Sequence, residues 1–172
     1  MIATNALTPD LAYAARHARG EQGGIVRLLY LCAFIPQLGT SLHDNSMGCG
    51  AALELDVDQQ GNAFPKNPME AFYQDVELGE AGRMCGALIT HPAQALTAKT
   101  WNTAWVYFPV TYVFCERDEA ISVGRQREMV EKVREVGVKV ETEEMTASHS
   151  PFLSMPEDTV EVVRRAWAAS VV

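Results

Sequence analysis

The run Ile25 to Ile35, IVRLLYLCAFI, constrains this chain more than any other stretch. It is almost continuously apolar, rich in strand formers, and bounded by Gly23-Gly24 and by Pro36. A half-solvated strand alternates polar and apolar side chains, whereas one without alternation is buried on both faces. Such a strand belongs inside a parallel sheet, and parallel strands need long crossovers that usually carry a helix. The rest of the chain must therefore supply partner strands and the helices that cover them.

The second run that fits is Val110 to Cys115, VTYVFC, closed by the charged Glu116-Arg117-Asp118-Glu119. Gly124 to Val136 follows with Met129, Val130, Val133 and Val136 on one helical face and Gly137 as its stop. Val138 to Met145 is a third strand, more polar and so nearer an edge. Ser154 to Glu157 has the form of a capping box, and Val160, Val163 and Trp167 give the last helix a buried stripe. Met1 to Arg19 has partial helical spacing, interrupted by Pro9. From 37 to 100, repeated Gly and Pro break any long periodicity. That segment reads as a cap-like insertion of short helices and loops rather than sheet, with helices over Pro68–Tyr73, Glu80–Leu88 and Pro92–Ala98. The fold class is α/β: one domain over 1–172, with about three parallel strands, flanking helices and a helical cap insertion.

With 22 acidic against 14 basic residues, the formal charge of -8 disfavours nucleic acid or an anionic membrane as a partner. A small hydrophobic molecule suits the chain better. No stretch reaches the roughly 20 apolar residues that cross a bilayer, and Met1 to Asp10 lacks a secretion signal, so a cytoplasmic protein is expected. Cys32, Cys49, Cys85 and Cys115 stand apart, without metal-ligand spacing, and are expected to be free thiols with no metal and no cofactor. His17, His43 and His91 read as surface or loop residues, and Glu141, Glu143 and Glu144 as a solvated strand face.

In open α/β sheets, functional groups collect beyond the carboxyl ends of the strands. Asp118 follows the second strand and His149 follows the third, directly ahead of a helix. Neighbouring parallel strands deliver their loops to one rim, where a carboxylate fixes the imidazole tautomer and makes the histidine a general base. Each residue alone has a plainer reading, as a turn or capping residue. Trp101 and Trp105, with Tyr107 and Phe108, either pack the cap on the sheet or wall a substrate pocket.

These segments, TYVFCERDEAI followed by a helix and VKVETEEMTASHSPFLSMPEDTVEVV, resemble the last third of α/β-hydrolases, in particular the small esterase and hydroxynitrile-lyase-like branch. VRLLYLCAFIPQLGTSL is similar to the strand entering that branch's cap, and PAQALTAKTWNTAWVYFPVTY to the cap's exit. The resemblance implies the order nucleophile, acid, histidine, with Asp118 and His149 as the last two. No Gly-x-Ser-x-Gly elbow occurs in the chain, and Met1-Ile2-Ala3-Thr4 is similar to the helix that follows the elbow. Ser46 and Cys49 have small neighbours but no preceding strand, so neither suits the elbow geometry. By resemblance, the expected activity is on a small hydrophobic ester, lactone or related carbonyl compound, with a role in secondary metabolism by analogy. A non-catalytic binding module, or an incomplete reading of a full esterase gene, is the alternative. The Ile25–Ile35 edge would lack a neighbour strand, so a homo-oligomer or complex is expected.

Overall fold

The computed structural model describes residues 2–46 and 54–170. In chain order it contains α1 (Ile2–Ala6), α2 (Tyr13–Ala18), β1 (Leu28–Leu31), α3 (Leu42–Ser46), β2 (Leu55–Val57), β3 (Asn62–Pro65), α4 (Pro68–Phe72) and α5 (Leu78–Ala87). Then come β4 (His91–Pro92), α6 (Gln94–Thr97), β5 (Val110–Cys115), α7 (Val123–Glu135), β6 (Val140–Met145), α8 (Pro151–Ser154) and α9 (Pro156–Ala168).

All six residues of β5 are buried, because this strand is paired on both sides and covered on both faces. Its neighbours β1 and β6 are both parallel to it, in the order β1-β5-β6. Side-chain alternation then divides the core. Val110, Tyr112 and Phe114 face Met129, Val130 and Val133 of α7, together with Ile35 and Trp105. Val113 and Cys115 face the other way, against Met145, Ala147 and Val162 of α9. This is an α/β arrangement, a three-stranded parallel sheet between helices, as the order of strands and helices implies.

Several local expectations are corrected. The first strand is Leu28–Leu31 rather than Ile25–Ile35, and its side chains are half-buried, because β1 has one strand partner among the described residues. Ile25 instead makes an isolated parallel bridge with Ala12. The strand ends at Cys32, whose φ of 38° lies in the left-handed region and breaks the alternation. Its side chain thereby joins Leu29 and Leu31 on the α9 side of the sheet. The 37–100 segment does contain sheet: β2, β3 and β4 form an antiparallel meander. Its first turn is held by Asp58, whose Oδ1 accepts from the backbone of Gln60 and Asn62, and by Gly61 at φ 79°.

In α9 the buried residues are Thr159, Val162 and Ala166, while Val160, Val163 and Trp167 are exposed. Both sets have helical spacing, and the smaller side chains let the helix lie close to the sheet. The capping box is likewise absent, since Ser154 Oγ donates back to the Ser150 carbonyl and Pro156 opens the helix. Val136 is exposed just after α7, and Gly137 at φ 85° stops that helix.

The polar face of β6 is not simply solvated. Glu143 pairs with Arg165 of α9 at 2.9 Å and Glu144 with Arg127 of α7 at 2.8 Å. Glu141 meets Arg27, whose side chain is only 7% exposed, at 2.6 Å. Arg27 also donates to Thr111 Oγ1, Ser170 Oγ and the Ala169 carbonyl, so one guanidinium ties the start of β1 to β5, β6 and the end of α9. Removing it leaves these acceptors without a buried donor. Arg27→Ala should therefore lower unfolding free energy by about 2–4 kcal/mol, and Glu141→Gln, at a partly exposed partner, by less than about 1 kcal/mol. Urea denaturation of both variants checks this; equal losses would contradict the bridging role.

Candidate active site

The β5–β6 ladder does not stop at the strand ends. Glu116 N donates to the Met145 carbonyl at 2.9 Å and Arg117 N to that of Ala147 at 3.1 Å. The two chains therefore leave the sheet side by side, one residue before Asp118 and two before His149. His149 Nδ1 lies 2.8 Å from Asp118 Oδ2. The Asp118 side chain is fully buried and the imidazole is 26% exposed, so the carboxylate is walled off while the ring reaches the surface.

Asp118 is held from three other directions. Its Oδ1 accepts from Ala120 N and Ile121 N, each at 2.8 Å, in a turn closed by its own side chain. Its Oδ2 also accepts from Gln126 Nε2 at 3.0 Å. With the carboxylate accepting at Nδ1, the ring proton sits on that nitrogen and the lone pair on Nε2, which is the basic tautomer. Phe72 of α4 lies against the ring, with centroids 5.4 Å apart.

Gln126 is the residue that sequence reasoning missed. It is completely buried on α7, and its Oε1 accepts from Cys115 N while Nε2 donates to the carbonyls of Cys115 and Ile121 as well as to Asp118. It thus stitches the end of β5 to the acid loop. The available signal was a polar residue at the head of the apolar stripe Met129, Val130, Val133, where a solvent-facing glutamine has no reason to stand.

A thiol does stand near the pair. Cys32 Sγ, a carboxylate oxygen of Asp118 and a ring nitrogen of His149 lie within 4.8 Å of one another. The Cys32 thiol donates to the His149 carbonyl at 3.4 Å. Its hydrogen bond with Cys115, and then burial, push it above the usual thiol range.

The imidazole lines one cavity and is separated from a second by Phe72. A small one of about 230 Å³ is lined by Leu31, Cys32, Ala33, Phe34, Ala120, Ile121 and His149 itself. A larger one of about 370 Å³ lies within the 37–100 segment, walled by Phe34, Leu42, Leu55, Phe72, Leu88 and Leu96, among others. Phe34 belongs to both cavities, and Phe72 touches both the larger cavity and the imidazole. His43, His91 and Ser46 add polar atoms to the larger cavity, a position that their sequence surroundings did not reveal. Ser46 Oγ donates to the His43 carbonyl, while Cys49 lies outside the described residues. Trp105 is in the core and donates from Nε1 to the Pro36 carbonyl at 3.0 Å; Trp101 is 69% exposed. Neither tryptophan lines these two cavities.

Because Gln126 satisfies buried groups at both β5 and Asp118, Gln126→Ala should cost about 2–4 kcal/mol of stability. Gln126→Glu puts a second carboxylate against Asp118 and should be at least as damaging. Thermal and urea unfolding measure both; a loss within the scatter of a surface substitution would remove Gln126 from this role.

The sequence profile of the Alpha/beta hydrolase family matches residues 3–162. Probable hydrolase R7 of a Phoma species is 27% identical over 146 residues, which cover 84% of this chain and 60% of that protein. Alpha/beta hydrolase nvfD of Aspergillus novofumigatus is 26% identical over 160 residues, with 87% and 60% covered. The chain thus spans about 60% of the length of these curated relatives. Among solved structures, the pyrethroid hydrolase PytH superposes with a TM-score of 0.64 at 18% identity, covering 94% of this chain and 67% of that one. Polyneuridine aldehyde esterase gives 0.64 at 16% identity, with 96% and 75% covered. At such identities the structural likeness establishes the shared fold. No described helix is long and apolar enough to cross a membrane. Matched across nearly its whole length and folded as a parallel sheet with an acid and a histidine at one rim, this chain belongs to the α/β-hydrolase family.

Proposed function

We propose that this chain carries the acid-base pair of a cytoplasmic enzyme acting on a small hydrophobic ester, lactone or related carbonyl compound. The observation that supports this most directly is the 2.8 Å contact between His149 Nδ1 and Asp118 Oδ2, in a histidine whose ring neighbours an apolar cavity. His149 Nε2 takes a proton from water, the water oxygen attacks the carbonyl carbon, and the imidazolium returns the proton to the departing alkoxide. Asp118 orients the ring and stabilises its cationic form during that interval. The pair equally serves proton-transfer reactions on a carbonyl compound, which need no nucleophile. The volume of about 370 Å³ and its apolar walls suit a compact, weakly polar substrate, with His43 and His91 as hydrogen-bonding points. Free thiols at Cys32, Cys85 and Cys115 suit a reducing compartment.

A second reading, a binding module without turnover, draws on the Cys32 thiol beside the histidine, which is buried and donates to the His149 carbonyl. The two readings separate on one variant. With a panel of short-chain aromatic esters and lactones, His149→Ala should lower kcat/KM by about 10²–10⁴-fold. Turnover undiminished in that variant rules out the acid-base role. Ligand binding that survives the substitution, in a wild-type protein with no turnover, supports the binding module instead.

We also propose that the edge of β1 that has no strand partner among the described residues pairs with a second copy of the chain. Half-buried Leu28, Leu29, Tyr30 and Leu31 form that edge, and an unpaired strand edge recruits another strand. Light scattering at micromolar concentration should give a mass above that of one chain; a monodisperse monomer would count against the pairing.

A further inference from the structure

Residues 72 to 75, the end of α4 and the turn after it, touch both loops of the acid-base pair. Phe72 packs on the His149 ring. Gln74 Nε2 donates to the carbonyl of Arg117, the residue directly before Asp118. Asp75 Oδ2 accepts from the backbone N–H of Ser148, the residue directly before His149, at 2.7 Å, and Asp75 Oδ1 accepts from the Ser148 hydroxyl. Ser148 is completely buried, so both of its donors depend on this carboxylate.

We infer that Asp75 is a positioning residue, the group that sets the His149 backbone, and with it the imidazole, against Asp118. This rests on reading His149 and Asp118 as the working acid-base pair. The geometry is that of a brace. Adjacent residues of one turn hold the positions immediately ahead of the acid and of the histidine, so the turn fixes the two loops relative to each other. Asp75 engages Ser148 at two points, which fixes both the position and the rotation of the peptide leading into His149. A single bond would leave that peptide free to swing. The turn itself is anchored, since Tyr73 N donates to Met69 O and Val76 N to Tyr73 O, and Glu77 then caps α5 by accepting from Gly79 and Glu80. Phe72 also lines the larger cavity, so the same four residues connect the cavity wall to the orientation of the base.

The test compares wild type with Asp75→Ala, Asp75→Asn and Ser148→Ala. Its first readout is the downfield proton NMR signal of the hydrogen shared by His149 Nδ1 and Asp118, assigned by its loss in His149→Ala. Asp75→Ala should broaden or abolish that signal while the core methyls of Met129 and Val133 keep their shifts. Asp75→Asn, which retains one carbonyl acceptor, should restore part of it, and Ser148→Ala, which keeps the backbone bond to Asp75, should weaken it less. On any ester the wild type turns over, Asp75→Ala should lower kcat by about 10–100-fold with KM within about twofold, as a displaced base does. If Asp75→Ala does not fold, Asp75→Asn and Ser148→Ala carry the same comparison. A sharp, unshifted signal and unchanged kcat in the folded Asp75 variants would overturn the inference. Should the wild type turn over nothing, the functional reading fails on its own, and the ring-proton comparison still decides the role of Asp75.

Discussion

The site rests on the pairing of β5 with β6 and its continuation past the strand ends. Because Glu116 and Arg117 still donate to Met145 and Ala147, the loops that follow start from fixed and adjacent points. A proton can be shared between Asp118 and His149 only if their side chains meet to within a few tenths of an ångström. Two flexible loops would spend much conformational entropy to do so. Here the ladder removes most of that freedom before any side chain acts, and the buried carboxylate needs only local donors to complete its shell.

The sheet that provides this ladder is stabilised unequally. β5 has a partner on each side and a helix over each face, and it is the best-buried strand. The flanking strands rely more on charge: Arg27 spans β1, β5 and β6, and the glutamates of β6 reach arginines on α7 and α9. An edge strand with a polar outer face resists unwanted pairing. β6 has such a face, whereas β1 carries Leu28, Leu29, Tyr30 and Leu31 and lacks one.

The polar groups that hold the pair come from three parts of the chain. Gln126 arrives from the helix after β5, Asp75 from the 37–100 segment, and the Ala120 and Ile121 amides from the acid loop itself. Such a network has value only when all its members are satisfied, since one lost partner leaves others stranded in a low dielectric. The histidine is the exception, partly open to solvent and lining the smaller cavity. A buried acid and a reachable base are what a proton-transfer site requires.

Much of this was legible in the residues. Unbroken apolar runs mark buried strands, charge at the end of VTYVFC marks the exit from the sheet, and the order of strands and helices implies parallel pairing, all through short-range periodicity and composition. From these, the adjacency of Asp118 and His149 follows as topology. The cap was legible only as irregular sequence, since its strands are two to four residues long, too short for a period-two pattern to stand out. Tertiary structure alone decided which of two apolar stripes α9 buries, where Trp101 and Trp105 lie, and which distant residues answer the buried polar groups. The physical reason is range. A side chain's periodicity records the environment of its own element, but a hydrogen bond between Asp75 and Ser148, or between Arg27 and Glu141, joins positions whose local sequences bear no mark of each other.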